Sequence, residues 1–175
     1  MEMTDQEGKP LLFLDVDGPL IPFGQVPLSA SGPSFAHEQH DEENPLAARI
    51  DPELGPLLTA LPCELIWATT WTHEANRSIS PVLGLPTLAV LDCPDEQDDH
   101  IDEWFGLHWK TRALVELAAG RPFIWIDDEI GDGDREWVSE HHPGRALLYR
   151  VDPRMGLRPT DLDAVTEWLM STATR

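Results

Sequence analysis

Five short apolar runs, each followed by carboxylate or hydroxyl side chains, constrain the fold of this chain more than any other feature. The first, Leu11–Leu14, leads into Asp15-Val16-Asp17-Gly18. The second, Glu64–Ala68, stops at Thr69-Thr70. Leu88–Leu91 stops at Asp92, Phe123–Ile126 at Asp127-Asp128, and Ala146–Val151 at Asp152. Runs this short and continuous read as strands buried on both faces. Helical patterns fall between them. Residues 52–60 place Leu54, Leu57 and Leu58 at helical spacing, with Leu61 just beyond. Thr72 reads as the N-cap of a helix over residues 74–79. Residues 109–119 form a helix closed by Gly120 as its C-cap. A short helix is expected over residues 133–141. Thr160-Asp161 opens a last helix with Leu162, Val165, Trp168 and Leu169 on one face. This alternation predicts an α/β fold, a Rossmann-like three-layer sandwich around a parallel sheet. Ligands of such sheets bind beyond the carboxyl ends of the strands, where all of these polar clusters lie.

The chemistry begins at Asp15 and Asp17. Side chains alternate along a strand, so two carboxylates one residue apart leave its end pointing roughly the same way. Two like charges held together are unfavourable unless a cation or a shared proton offsets them. The pair therefore points either to a divalent metal site or to an acid/base pair. Residues 1–10 read as a polar tail, and residues 11–175 as a single domain. No run of apolar residues is long enough for a membrane span, and the acidic N-terminus lacks a signal-peptide core. Cys63 and Cys93 are isolated, without zinc spacing, so the expected setting is the reducing cytoplasm.

The formal net charge is −20. It argues against generic binding to a nucleic-acid backbone, unless Arg77, Arg112 and Arg121 gather at the mouth of the site. Only Lys9 and Lys110 are lysines, which makes the position of Lys110 informative.

The ordered set of motifs resembles the haloacid dehalogenase (HAD)-like hydrolases. Asp15-Val16-Asp17-Gly18 is similar to their DxDG motif after the first strand. Thr69 matches their strand-end Thr or Ser, with Thr70 as the off-by-one alternative. Lys110 matches their lysine near a helix start, and Asp127-Asp128 their acidic pair after a later strand. The resemblance implies a Mg²⁺-dependent phosphatase of phosphomonoesters acting through an aspartyl-phosphate. By it, Asp15 is the nucleophile and Asp17 the general acid/base. Thr69 bonds a phosphoryl oxygen, and Lys110 balances negative charge. Mg²⁺ is held by Asp15, the backbone carbonyl of Asp17, and Asp127 or Asp128, in keeping with its preference for oxygen ligands.

Further residues are candidates for substrate contact. Trp71 follows Thr69-Thr70 and is placed to line the site. Asn76 and Arg77 lie near a helix N-terminus, which favours anions. Asp132 and Asp134 read as solvated loop carboxylates, with supporting contacts to the site as the alternative. Trp67, Trp125 and Trp168 read as core. His37-Glu38-Gln39-His40 lacks the spacing of a zinc-binding helix and reads as a solvated loop. Residues 24–45 read as a long irregular loop or minimal cap, and residues 92–103 as an acidic loop. Neither gap between motifs has room for a full cap domain. Minimal-cap members similar to this chain often take larger substrates. The resemblance therefore implies a phosphorylated small molecule or polymer end as substrate, including nucleotides and polynucleotide ends, and extends to modules within RNA-repair proteins. The alternative from another class is a degenerate member that binds a phosphorylated ligand or a protein without turnover.

Overall fold

The computed structural model describes residues 8–23, 46–92, 102, 104 and 106–172. Five strands, β1 (Leu11–Leu14), β2 (Glu64–Trp67), β3 (Ala89–Val90), β4 (Phe123–Asp127) and β5 (Ala146–Arg150), form one sheet in the order β3-β2-β1-β4-β5. Every pairing is parallel. The strand order reverses between β1 and β4, and a crevice opens at such a switch point. Register brings the strand ends level, with Leu14 opposite both Trp67 and Ile126. The Asp15 N–H then donates to the Ile126 carbonyl at 3.1 Å, which carries the β1–β4 pairing up to the first carboxylate.

Alternation along the strands supplies two cores. Leu12, Leu14, Trp67, Ile124 and Ile126 face α1 (Leu54–Thr59), α2 (Glu74–Ser78), α3 (Ser80–Leu83) and α6 (Pro159–Thr172). Leu11, Phe13, Ile66, Phe123 and Trp125 face α4 (Lys110–Ala118) and α5 (Asp132–His141). The result is the three-layer sandwich that the pattern predicts. Burying one large apolar side chain contributes about 1.5–3 kcal/mol, so these faces hold the strand ends firmly in place. Gly55 lets α1 approach α3 closely, since a Cβ there would lie 1.8 Å from the Leu83 carbonyl oxygen.

Local departures have physical causes. The helix after β2 starts at Glu74, and Thr72 does not cap it. Thr72 instead adopts a left-handed φ of 50°, in a tight turn closed by its N–H to the Thr69 carbonyl. A β-branched residue in that region is a true outlier. The helix end expected at Gly120 comes one residue early, with Ala119 at φ 48° before Gly120 at φ 86°. The first and last helices and β3 are trimmed or extended by a residue or two relative to their apolar patterns. Residues 24–45, His37 and His40 among them, lie outside the described residues, as do Cys93 and most of the acidic loop. Among the described residues, no helix is long and apolar enough to cross a membrane.

Candidate active site

Asp15, Asp17, Thr70, Lys110 and Asp128 converge on one small cleft of about 150 Å³ at the strand ends, joined by Phe23, Trp109 and Glu129. Its floor is ionic. Lys110 is almost fully buried, and its Nζ lies 3.2 Å from Asp15 Oδ1 and 2.6 Å from Asp127 Oδ2. Asp15 Oδ1 also accepts the Val16 N–H at 2.8 Å, whereas its Oδ2 takes no hydrogen bond among the described residues. Asp127 has both oxygens engaged. Oδ2 accepts from Lys110 and from the Trp125 indole at 3.1 Å, and Oδ1 accepts the Glu129 N–H at 3.0 Å. Trp125 is thus core, as expected, but its N–H serves the site.

Burial pushes the Asp15 carboxyl up to about 7 against the opposing pull of Lys110, with the Asp127 charge adding to the rise. Burial, then the Asp127 charge, also raises the Asp128 carboxyl. Five carboxylates, Asp15, Asp17, Asp127, Asp128 and Glu129, therefore gather around one ammonium here, and the excess of negative charge calls for a cation. Oxygens of Asp15, Asp127 and Asp128 lie within 4.8 Å of one another. A hard, all-oxygen donor set of this kind suits Mg²⁺.

Gly18 makes the Asp128 position possible. Its φ is 99°, and a Cβ there would meet the Asp128 carboxyl carbon at 2.5 Å. Any side chain at residue 18 would drive Asp128 out of the cleft.

Two braces aim the remaining groups. The Trp71 indole N–H donates to Asp17 Oδ2 at 2.9 Å, and the Trp71 backbone N–H donates to Thr69 Oγ1 at 3.2 Å. Thr69 is fully buried, so its hydroxyl ties the turn together, and Thr70 is the threonine that lines the cleft. Asp134, at the start of α5, holds the start of α4. Its Oδ1 accepts from the His108 N–H at 2.7 Å and from the Thr111 hydroxyl at 2.6 Å, while Oδ2 accepts from Gly131 N–H at 2.8 Å. It is buried, not a solvated loop carboxylate, and it sets where Lys110 enters the site. Its spacing from the Asp127-Asp128 pair carried no signal of this; the contact forms only when α4 and α5 pack.

Other predicted residues go elsewhere. The Asn76 amide accepts from the Trp67 indole and the Leu88 N–H and donates to the Leu88 carbonyl, tying α2 to the chain entering β3. Its polar atoms are occupied within the fold. Arg77 is exposed and pairs with Glu74. Arg112 pairs with Asp102, and Arg121 donates to the Lys9 carbonyl and to Glu64, the first residue of β2, at the opposite end of the sheet. Arg77, Arg112 and Arg121 therefore do not gather at the mouth. Sequence reading missed the cleft positions of Phe23, Trp109 and Glu129, which lie outside the motifs.

A family model for the HAD domain in Swiss Army Knife RNA repair proteins matches residues 11–162. The chain belongs to that family. No curated protein and no solved structure matches it. Membership in the HAD family points to a hydrolase of the phosphatase type acting on a phosphorylated substrate. The HAD family generally uses Mg²⁺, and the acidic cluster of this HAD domain has the oxygen donors for it.

Proposed function

We propose that this HAD domain is a Mg²⁺-dependent phosphatase that hydrolyses phosphomonoesters through an aspartyl-phosphate on Asp15. One observation carries the reading. Asp15 lines the cleft with one carboxylate oxygen pinned by Lys110 and the Val16 N–H and the other without a hydrogen bond among the described residues. An activated nucleophile needs that combination of fixed orientation and a free attacking atom. In the first step, Asp15 Oδ2 bonds to phosphorus as the bond to the leaving oxygen breaks, and Asp17 gives that oxygen its proton. In the second, Asp17 takes a proton from water as the water oxygen bonds to phosphorus. The Asp15–phosphorus bond then breaks and inorganic phosphate leaves.

The other residues have distinct tasks in this reading. Trp71 holds Asp17 in orientation through the indole bond. The Thr70 hydroxyl donates to a phosphoryl oxygen, a role the burial of Thr69 leaves to its neighbour. Lys110 offsets charge that builds on the phosphoryl group and Asp15. Asp15, the Asp17 carbonyl and Asp128 would hold the metal, since Asp127 is engaged with Lys110, Trp125 and Glu129. Bound Mg²⁺ supplies Lewis-acid polarisation of the phosphoryl oxygens. The family's occurrence in RNA repair proteins supports a nucleic-acid end as the phosphomonoester. A reducing, cytoplasmic setting fits the free thiol of Cys63, which burial pushes up to about 11.

The test is release of phosphate from an aryl phosphate and from a panel of phosphomonoesters with Mg²⁺, beside Asp15→Asn. Turnover that depends on Asp15 and Mg²⁺ is expected. Turnover that survives Asp15→Asn removes the nucleophile from the mechanism, and no turnover on any substrate leaves a phospho-ligand-binding module.

A further inference from the structure

Beyond the motif residues, one flank of the cleft differs from the rest of this acidic surface. Of twelve basic residues two are lysines, and four of the remaining ten, the arginines at 49, 150, 154 and 158, lie together beside the cleft. Arg150, the last residue of β5, donates its Nε–H to the Asp128 carbonyl at 3.0 Å and is exposed. It lines an open cavity of about 490 Å³ with Arg154. Arg154 in turn lines a cavity of about 360 Å³ with Arg49 and Arg158. The exposed Arg154 side chain takes no partner among the described residues. Three carboxylates share this flank: Asp161 pairs with Arg158 at 3.3 Å, while Asp152 accepts the Arg154 N–H and Asp51 accepts the Glu53 N–H, so neither of those two neutralises Arg150 or Arg154.

An aromatic ring links the arginines to the reacting groups. Phe23 lines the cleft with a ring that is 62% exposed and so open to a stacking partner. Its backbone is held firmly, the Phe23 N–H donating to the Pro153 carbonyl at 2.7 Å, next to Arg154. From Asp15 outward the surface therefore runs from the cleft to an exposed ring and then to arginines. Exposed aromatics beside backbone-tracking cations are how proteins hold single strands, because every base has a face to stack and every nucleotide a phosphate. Arg presents a planar fork suited to phosphate.

We propose that Phe23, Arg150 and Arg154 form a subsite for the nucleotide next to the phosphorylated end of a single-stranded nucleic acid. Phe23 stacks on the base, and the two arginines hold the adjoining backbone phosphate. The subsite rests on the phosphatase reading of Asp15, and its test separates the two. In the first arm, fluorescence anisotropy measures binding of single-stranded RNA decamers phosphorylated at the 3′ or the 5′ end to the Asp15→Asn protein with Mg²⁺. Arg154→Glu and Phe23→Ala, each added to Asp15→Asn, are expected to weaken binding of at least one decamer about tenfold. Arg154→Glu is also expected to flatten the dependence of that binding on salt. In the second arm, kcat/KM is compared on the preferred decamer and on an aryl phosphate. Arg154→Glu is expected to lower the decamer-to-aryl ratio about tenfold. Decamer binding that neither variant weakens overturns the subsite, as does an equal loss on both substrates. Absence of turnover on every substrate overturns the phosphatase reading, and the binding arm still decides the subsite.

Discussion

The two ends of the sheet hold charge in opposite ways. Beyond the carboxyl ends, Lys110 lies buried between Asp15 and Asp127, with nearly every polar atom around it engaged. At the amino ends, Arg121 spans Glu64 and the Lys9 carbonyl, with Glu64 half-exposed to water. The first arrangement makes each partner depend on the others. The second is an ordinary surface contact that solvent largely replaces. Similar ion pairs on one sheet thus differ in consequence because desolvation, not distance, sets what a missing partner costs.

Substitution at each end breaks or sharpens this contrast. Lys110→Met leaves two buried carboxylates facing each other and is expected to cost about 3–5 kcal/mol in urea unfolding. Its phosphatase turnover is expected to fall at least about a hundredfold. Asp134→Ala removes the acceptor of three donors at the start of α4 and α5, with an expected loss of about 2–3 kcal/mol. Turnover should fall with it, because Lys110 loses its fixed entry.

Acidity gives the third effect. The folded state holds the Asp15 proton more tightly than the unfolded state, up to about 7 against 3.8. Between those values the folded protein binds more protons, so stability falls as pH rises and levels off above about 7. Metal-free melting temperatures should therefore decline across this window. Asp15→Asn should flatten the decline, leaving the smaller share of the raised Asp128 carboxyl. Added Mg²⁺ should raise the melting temperature more at pH 8 than at pH 5. At the other end of the sheet, Glu64→Gln is expected to change stability by less than about 0.5 kcal/mol in the same urea assay. A loss as large as that of Asp134→Ala would erase the contrast between the ends.

Much of the architecture was legible because continuous apolar runs such as Leu11–Leu14 and Phe123–Ile126 admit few other buried forms. The carboxylates that end those runs were legible for the same reason: a strand end aims its next residue. The Asn76 amide was not, since nothing local shows that Trp67 and Leu88 will close around it. Thr72 misled because a hydroxyl before a helix usually caps it, and here the tight turn from Thr69 claims the backbone first. Arg77, Arg112 and Arg121 do not gather at the mouth because packing between distant elements, not residue type, decides which side chains share a surface.

By itself, the sequence determined the strands, their parallel alternation with helices, and the order of Asp15, Asp17, Lys110, Asp127 and Asp128. These follow from periodicity and from short-range backbone chemistry. Only the tertiary structure decided which oxygens are engaged and which are free, that Asp134 anchors Lys110, that Trp71 braces Asp17, and that Thr70 rather than Thr69 meets the cleft. Those outcomes depend on packing between segments distant in the chain, where burial and partner geometry, not residue type, set what each charge can do.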